Sequence, residues 1–476
     1  MTPEASVSFV RLTIIGGGGF RVPLVYGALG SGPAATGAGG WAVEEVALHD
    51  VDARRVAAIE RVLAGMAGPR VVVAGDLDAA LAGAAYVFCA VRVGGLRGRT
   101  VDERVALDLG LFGQETVGAG GVAYGLRTVP VMVRIAERIA AVAPDAWTID
   151  FTNPVGMVTE AMSAVLGDRV IGICDSPVGL FRRVAWLLGV PPERVWFDYA
   201  GLNHLGWLTA AYLDGRDRLP GLLADPVALG RTEEGRLFGA DRLRTLGAIP
   251  NEYLYYYYST REAIEAVRAR GSTRGEYLAR QQAAFYAAAA GPDPVSAGPV
   301  PAGPVPADPV PGDPIPVGWA AAEWARVLAE REATYLPEAR RDAAGADEPG
   351  GGGYEQVALA VMRALAGGPP ATLVLNTRNR GALTGPDPAA VVEVPCLVDA
   401  NGAHPLVAGP LPEHARALVA AVKAVDRATI EAALTGSRDA AVRALALHPL
   451  VDSVALAHRL LDSYAAGHPE LAHFAT

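Results

Sequence analysis

Val10-Arg11-Leu12-Thr13-Ile14-Ile15-Gly16-Gly17-Gly18-Gly19-Phe20-Arg21-Val22-Pro23 is the stretch whose reading decides the fold. Its first six residues form a short apolar, β-prone run that reads as a buried strand over Val10–Ile15. Four glycines follow, and then Pro23–Leu29 reads as a helix with proline in its first turn. Strand, glycines and helix in that order bring a diphosphate against backbone N–H groups at a helix N-terminus. The dinucleotide fingerprint is incomplete, because its third glycine position holds Arg21, and a glycine run is also what an ordinary turn looks like. Asp50 tips the balance. It ends a strand read at Glu44–His49, where a carboxylate can accept hydrogen bonds from ribose hydroxyls. It lies further from the glycines than the usual ~20 residues, which we attribute to an inserted loop over Ser31–Trp41. Gly16, Gly17, Gly18, Gly19 and Asp50 are therefore expected to bind NAD.

Working outward, further strands are expected at Tyr86–Val91, Trp147–Phe151 and Val170–Cys174, with an amphipathic helix over Val129–Val142. Strands alternating with helices imply an α/β fold with a doubly wound, Rossmann-like parallel sheet, its ligand crevice at the strand C-termini. From Gly201 onward longer helices mix with a few strands, such as Thr372–Leu375 and Val391–Leu397, and read as a second, α+β domain. The expected division is residues 1–200 and 201–476. Within the second part, Pro292–Pro316 is a proline-rich tract that cannot sustain a helix or a sheet ladder and reads as a surface loop. Gly350–Gly353 reads as a flexible joint.

The bulk numbers exclude several classes. Across 476 residues, 51% are hydrophobic and 19% charged, enough for sizeable cores and against general disorder. The net charge of −10 argues against a nucleic-acid partner. An anionic substrate must then be met by locally placed arginines rather than by the global field. Three cysteines make no disulfide framework and suit a reducing compartment. Neither a secretory signal nor an apolar run long enough to span a membrane is visible, so a cytoplasmic protein is expected.

Five further sets of residues carry chemistry. In Asp150-Phe151-Thr152-Asn153-Pro154 a strand meets a turn, and the Asn153 amide can hold a sugar hydroxyl or the nicotinamide ribose, though Asn-Pro is also a common turn. Cys174, in Ile173-Cys174-Asp175-Ser176-Pro177, and His204, in Gly201-Leu202-Asn203-His204-Leu205, offer a thiolate and an imidazole at two strand ends. Two such ligands make an open catalytic metal site if they converge; a buried small hydrophobe and a core histidine are the plainer alternative. Pro250-Asn251-Glu252-Tyr253 leads into a run of tyrosines to Tyr258. On a helix Tyr253 and Tyr257 would share one side, as a packing face or with Tyr253 as a base whose pKa a cation lowers. Finally Arg92, Arg97 and Arg99 follow the Tyr86–Val91 strand, with Arg274 downstream. Guanidinium forks match phosphate oxygens, and solvated surface arginines are the alternative.

Together these segments resemble glycoside hydrolase family 4. The matching pieces include Ile15-Gly16-Gly17-Gly18, Val91-Arg92-Val93-Gly94 with Arg99, Gly113-Gln114-Glu115-Thr116 and Gly121-Val122-Ala123-Tyr124-Gly125. They continue through Thr152-Asn153-Pro154, Cys174-Asp175-Ser176-Pro177, Gly201-Leu202-Asn203-His204, Pro250-Asn251-Glu252-Tyr253-Leu254 and Val392-Glu393-Val394-Pro395-Cys396. The resemblance implies a Rossmann domain joined to a C-terminal domain similar to that of lactate and malate dehydrogenases. It implies a redox-assisted elimination, an exception to two-carboxylate glycosidase chemistry: oxidation at sugar C3 by NAD⁺, loss of the C2 proton to a base, departure of the aglycone from C1, addition of water, and re-reduction. A divalent metal, usually manganese, polarises the C2 and C3 oxygens.

By matched position the resemblance makes Cys174 and His204 the metal ligands, Tyr253 the C2 base, Asp175 the residue assisting leaving-group departure, and Asn153 a contact to sugar and nicotinamide. Arg92, Arg99 and Arg274 would hold the substrate 6-phosphate. Two departures stand out. Gly19 replaces the usual serine after the glycines, and the residue after the metal cysteine is Asp175, familiar in 6-phospho-α-glucosidases. The Asn251–Tyr258 run looks like 6-phospho-β-glucosidase relatives, so the β-enzyme is expected, acting on a small phosphorylated disaccharide or aryl glucoside as a homodimer or homotetramer. The 6-phospho-α-glucosidase of the same family is the runner-up. Rivals of other classes are an NAD-dependent hydroxy-acid dehydrogenase, which needs no metal cysteine, and a non-catalytic sugar-phosphate sensor.

Overall fold

The strand expected at Val10–Ile15 runs from Ser8 to Ile15 (β1), and the helix expected at Pro23–Leu29 begins one residue earlier, at Val22. The computed structural model describes residues 8–31, 41–290, 318–335, 349 and 353–475. Most of the loop expected at Ser31–Trp41, the tract at Pro292–Pro316 and most of the Gly350–Gly353 joint lie outside the described residues. The remaining strands are β2 (Trp41–His49), β3 (Arg70–Val73), β4 (Tyr86–Cys89), β5 (Trp147–Asp150), β6 (Val170–Gly172), β7 (Trp196–Leu202), β8 (Leu205–Leu213), β9 (Arg216–Asp217), β10 (Ile249–Pro250), β11 (Ala371–Arg378), β12 (Val391–Asp399) and β13 (Gly402–Pro405).

The first six strands pair in parallel in the order β3-β2-β1-β4-β5-β6. This is a doubly wound α/β sheet, and its strand order reverses between β1 and β4, where a ligand crevice opens at the strand C-termini. The cause is legible in the side chains. Leu12, Ile14, Val46, Leu48, Val87 and Phe88 are essentially solvent-free, as strands covered by helices on both faces must be. Each such side chain contributes about 1.5–3 kcal/mol on burial.

Beyond β6 the direction changes. β11 pairs antiparallel with β6, then with β12, and β12 reaches β7 of the β7–β8 hairpin. The antiparallel part thus continues the same sheet, and the boundary expected at 200/201 falls inside β7. The hairpin was not expected, because its two-residue turn, Asn203-His204, lacks the glycine that usually marks one. The expected strands at Tyr86–Val91, Trp147–Phe151 and Val170–Cys174 each stop two, one and two residues early. The residues that leave the ladder are the ones that turn into the crevice.

The helix expected at Val129–Val142 starts at Gly118 and encloses Pro130. Its glycine-rich first turns look unhelical by propensity, yet close packing demands them: a Cβ on Gly125 would lie 2.3 Å from Met157 Sδ. This helix is tied to the helix Gly95–Asp108 by a buried pair, Arg127 Nη1 to Asp102 Oδ1 at 2.7 Å, with His468 Nε2 2.9 Å from the same carboxylate. That pair fixes the helix on which Arg99 and Glu103 stand. No helix among the described residues is long and apolar enough to cross a membrane.

Candidate active site

A single cleft of about 1280 Å³ collects residues from the ends of β1, β2, β4, β5 and β6, from the β7–β8 turn and from the helices that close over them. Gly16, Gly19, Asp50, Arg92, Arg99, Asn153, Cys174, Asp175, His204, Tyr253 and Arg274 all line it, whereas Gly17, Gly18 and Arg97 do not.

The glycine loop is built for close approach. Gly16 adopts φ +87°, and a Cβ there would fall 2.4 Å from the Ala90 carbonyl oxygen, so only glycine fits. Gly16 and Gly17 N–H both donate to His49 O at 2.9 Å. Gly18 N–H donates to Asp50 Oδ2 at 3.1 Å, and Asp52 N–H to Asp50 Oδ1 at 3.1 Å. Asp50 therefore locks the loop in addition to facing the cleft. The helix Val22–Leu29 has no side-chain cap at its N-terminus; Val22 N–H donates to Gly19 O at 3.0 Å and Leu24 N–H to Arg21 O at 3.1 Å, so the loop itself closes the helix start. Across the cleft Asn153 Oδ1 is buried without a hydrogen-bond partner. A glycine loop that admits close approach and an orphaned amide oxygen together fit a bound dinucleotide.

Cys174 lies just past β6, and His204 occupies the hairpin turn in the left-handed backbone region, φ 60°. The imidazole is oriented by a relay that the sequence did not reveal. Thr116 Oγ1 donates to Gln114 Oε1 at 3.0 Å, and His204 Nδ1 lies 3.0 Å from the same Thr116 oxygen. A hydroxyl has one proton, so Nδ1–H is the donor and Nε2 keeps its lone pair, the form that binds a metal. Burial holds this histidine neutral, its pKa lowered to about 4 despite the Glu115 charge. Burial, then the Glu393 charge, pushes the Cys174 thiol well above its usual range, so the thiolate requires a cation beside it. The donor set suits a divalent metal with open positions. The turn itself is braced by Glu393, which accepts from Asn203 Nδ2 at 3.1 Å, Asn376 Nδ2 at 3.0 Å and Tyr199 Oη at 3.0 Å.

Tyr253 stacks on His204 with ring centroids 3.7 Å apart and 6° between planes. Burial first, and Glu252 second, raise its phenol well above the ordinary value, while the Tyr335 hydroxyl donates to Tyr253 Oη at 3.1 Å. Tyr253 sits in a 3-10 turn, Glu252–Leu254, that precedes the short helix Tyr255–Tyr258. The shared face with Tyr257 is therefore not formed, and Tyr257 stacks instead on His448, centroids 6.0 Å apart. Glu252, pushed up to about 8 by burial and then by Glu233, accepts from Ser176 Oγ at 2.6 Å. That bond joins the Tyr253 turn to the loop carrying Asp175.

The arginines converge, but not as three bare charges. Arg92 pairs with Glu115, and Arg99 donates to Glu103 at 2.8 Å and Glu115 at 2.7 Å. Burial alone would raise the Glu115 carboxyl; Arg92 and Arg99 reverse this and hold it at about 2. Arg274 is fixed by the Thr334 hydroxyl at 2.7 Å and the Arg331 carbonyl at 2.7 Å. Burial, and then Arg99, lowers it to about 10. Arg21 and Arg331 also line the cleft; Arg92, Arg99, Arg274 and Arg331 face the two carboxylates of Glu103 and Glu115. The surplus positive charge is a site for a dianion.

In the sequence Arg21 shows only as a residue at a glycine position, and nothing in the pattern of Gln114, Glu115 and Thr116 marks a role. Arg331 stands in Glu330-Arg331-Glu332, an ordinary charged helix face that carries no signal.

A family model for "Family 4 glycosyl hydrolase" matches residues 11–190, and one for the "Family 4 glycosyl hydrolase C-terminal domain" matches 199–451. A probable 6-phospho-beta-glucosidase of Bacillus subtilis is 31% identical over 405 residues, which cover 83% of this chain and 81% of that protein. A 6-phospho-alpha-glucosidase of Leptotrichia buccalis is 25% identical, covering 88% and 90%. The solved 6-phospho-beta glucosidase of Thermotoga maritima, with NAD and glucose-6-phosphate, superposes with a TM-score of 0.77 at 24% identity, covering 97% of this chain and 98% of that one.

Proposed function

Because the chain belongs to glycoside hydrolase family 4, we propose that it hydrolyses 6-phospho-β-glucosides to glucose 6-phosphate and aglycone, with NAD and a divalent metal, manganese, as cofactors. The observation that carries this reading is the meeting, in one cleft, of the glycine loop, Cys174 with His204, Tyr253 and the arginine cluster. A dehydrogenase of hydroxy acids has no use for the cysteine, and a sensor has no use for Tyr253. The β assignment is supported by the relatives in Bacillus subtilis and Escherichia coli, both 6-phospho-beta-glucosidases by name, at 31% and 30% identity, against 25% for the alpha-glucosidase of Leptotrichia. The 6-phospho-α-glucosidase reading rests on Asp175 following Cys174.

When bound, NAD⁺ supplies a hydride acceptor and the metal a Lewis acid. Gly16–Gly19 would let the dinucleotide diphosphate approach the chain closely, Asp50 would meet the adenosine ribose, and Asn153 Oδ1 would take the hydrogen bond it lacks from a ribose or sugar hydroxyl. Cys174 Sγ and His204 Nε2 would hold the metal. Arg92, Arg99 and Arg274 anchor the 6-phosphate and so set the distance from C2 to Tyr253. Tyr253 would accept the C2 proton at Oη as the phenolate, the form that a cation held by Cys174 and His204 would favour against burial, and Asp175 would assist departure of the aglycone. Residues 1–200 thus supply the cofactor loop and Cys174, and residues 201–476 supply His204, Tyr253 and Arg274. On this reading the enzyme works in the cytoplasm as a homodimer or homotetramer, its three cysteines free and buried, on phosphorylated disaccharides or aryl glucosides.

The test is hydrolysis of p-nitrophenyl β-glucoside 6-phosphate, its α-anomer and the unphosphorylated β-glucoside, with and without NAD⁺ and Mn²⁺. The β-phosphate is expected to be cleaved well, the α-anomer poorly and the unphosphorylated glucoside hardly at all. Preference for the α-anomer would overturn the β assignment. Equal rates with and without phosphate would overturn the arginine assignment, and NADH accumulating in step with product would favour the dehydrogenase.

A further inference from the structure

Two of the guanidinium groups in the cleft have no task in the reaction just described. Arg21 stands at the start of the helix Val22–Leu29, its Cζ 5.2 Å from the Tyr354 ring centroid, and its Nε is shut off from solvent with no hydrogen-bond partner. Arg331 stands near the end of the helix Trp319–Ala333, its Cζ 6.0 Å from the ring of Phe20, the residue next to Arg21. Both line the cleft. Among the described residues neither side chain makes an ion pair or a hydrogen bond, whereas Arg92, Arg99 and Arg274 all do. The carboxylates that face Arg21 electrostatically are Asp175 and Glu355, and neither comes within ion-pair distance.

Such an arrangement is unfavourable as it stands. Burial, followed by the charge of Arg21 and then of Arg274, drives Arg331 well below the ordinary arginine range. Two like charges on a wall with little water between them need an anion to face, and a pair of unengaged forks offers up to four parallel donors to a planar carboxylate. Arg21 sets the pair apart from the phosphate cluster, which Arg331 also faces through the charges of Arg274, Arg99, Arg92 and Glu115. Arg21 is surrounded by Asp175, Tyr354, Tyr253 and Tyr335, not by Glu103 and Glu115, which hold Arg92 and Arg99. Asp175 marks the side from which the aglycone departs.

We propose that Arg21 and Arg331 together bind an acid group carried by the aglycone, so that the enzyme selects 6-phosphoglycosides whose leaving group bears a carboxylate. The proposal rests on the glycosidase reading above. It makes the cleft doubly anion-selective: one cluster reads the sugar phosphate, and Arg21 beside Asp175, with Arg331 bridging from the cluster, reads the partner to be released.

The experiment compares kcat/KM for 4-carboxyphenyl and 4-carbamoylphenyl β-glucoside 6-phosphates, which share shape and differ in one charge. The acid is expected to be preferred at least tenfold, chiefly through KM. Arg21→Gln and Arg331→Gln are each expected to bring the ratio to about one, and Arg331→Lys to restore part of it. A second arm needs no turnover: calorimetric binding of 4-hydroxybenzoate against 4-hydroxybenzamide to the full chain with glucose 6-phosphate, NAD⁺ and Mn²⁺, where the same tenfold ranking is expected. Absence of hydrolysis with that ranking intact would count against the glycosidase reading alone. A wild-type ratio near one in both arms would overturn the proposal. So would a ratio that survives in the glutamine variants while NAD⁺ or glucose 6-phosphate binds tenfold more weakly, since the pair would then serve the dinucleotide diphosphate or the 6-phosphate.

Discussion

Glu115→Gln removes one negative charge from between Arg92 and Arg99 while keeping the side-chain shape and one acceptor oxygen. The fall of the Glu115 carboxyl from 4.5 to about 2 corresponds to about 3 kcal/mol of folded-state preference for the ionised form. This is at the lower end of the ~3–5 kcal/mol that breaking a buried pair costs, as suits a cluster in which Arg92 is 30% exposed. The folded-state value is depressed, so the contribution is complete above about pH 4.5 and is lost as pH falls towards 2. An unfolding entropy of about 2.1 cal/mol/K per residue gives about 1 kcal/mol/K for a chain of this length, and hence a melting-temperature drop of about 3 °C at pH 7. Differential scanning calorimetry of both proteins at pH 7 and pH 3.5 measures it, and the gap is expected to be smaller at the lower pH. Glucose 6-phosphate should raise the variant's melting temperature more than the wild type's, because its phosphate replaces the lost charge. A drop under about 0.5 °C at pH 7, or a gap that does not narrow with acid, would refute the assignment of Glu115 as the counter-charge of the cluster.

Three further outcomes follow from the same structure. Tyr253→Phe should lower turnover by roughly 10²–10⁴-fold with substrate binding largely kept, and wild-type product formed in deuterated water should carry deuterium at C2; unlabelled product would rule out proton abstraction there. Thr116→Val, which removes the acceptor that fixes the His204 tautomer, should weaken Mn²⁺ binding about 10–100-fold by electron paramagnetic resonance titration, and unchanged affinity would show the relay idle. Asp150 accepts from Thr152 N–H and Thr159 Oγ1, yet burial raises it to about 7. Its contribution to stability is therefore complete below about pH 3.8 and declines as pH rises towards 7. Asp150→Asn should gain on the wild type in urea denaturation across that window and level off above it; a constant difference from pH 4 to pH 8 would show that Asp150 does not titrate there.

The fold was legible where one local rule sufficed. Residues 10–23 carried strand, glycine cradle and helix start in unbroken order, and Asp50 followed at the end of the next strand. The hairpin β7–β8 was hidden because tertiary bracing by Glu393, not a turn residue, holds Asn203-His204 in its conformation. The first turns of Gly118–Val142 were hidden because glycine is read as a helix breaker, although the packing against Met157 requires it. The site divides in the same way. Cys174, His204, Tyr253 and Asn153 each follow a strand or turn signal and do meet in the cleft. Glu115 acts through Arg92 and Arg99 and Thr116 through His204, none of them a local neighbour, and Arg331 comes from a helix whose charge pattern is that of any solvated face. Such roles exist in three dimensions alone.

The continuity of the sheet across β6, β11, β12 and β7 bears on how this chain can be divided. A cut at 200/201 would sever β7 within the strand and strip β6 of its neighbour. Val170–Gly172, an apolar segment now flanked on both sides, would become an open edge with unpaired N–H and C=O groups, the kind of template that recruits other chains. The two halves expressed separately should therefore aggregate, each exposing the seam along which the other was paired.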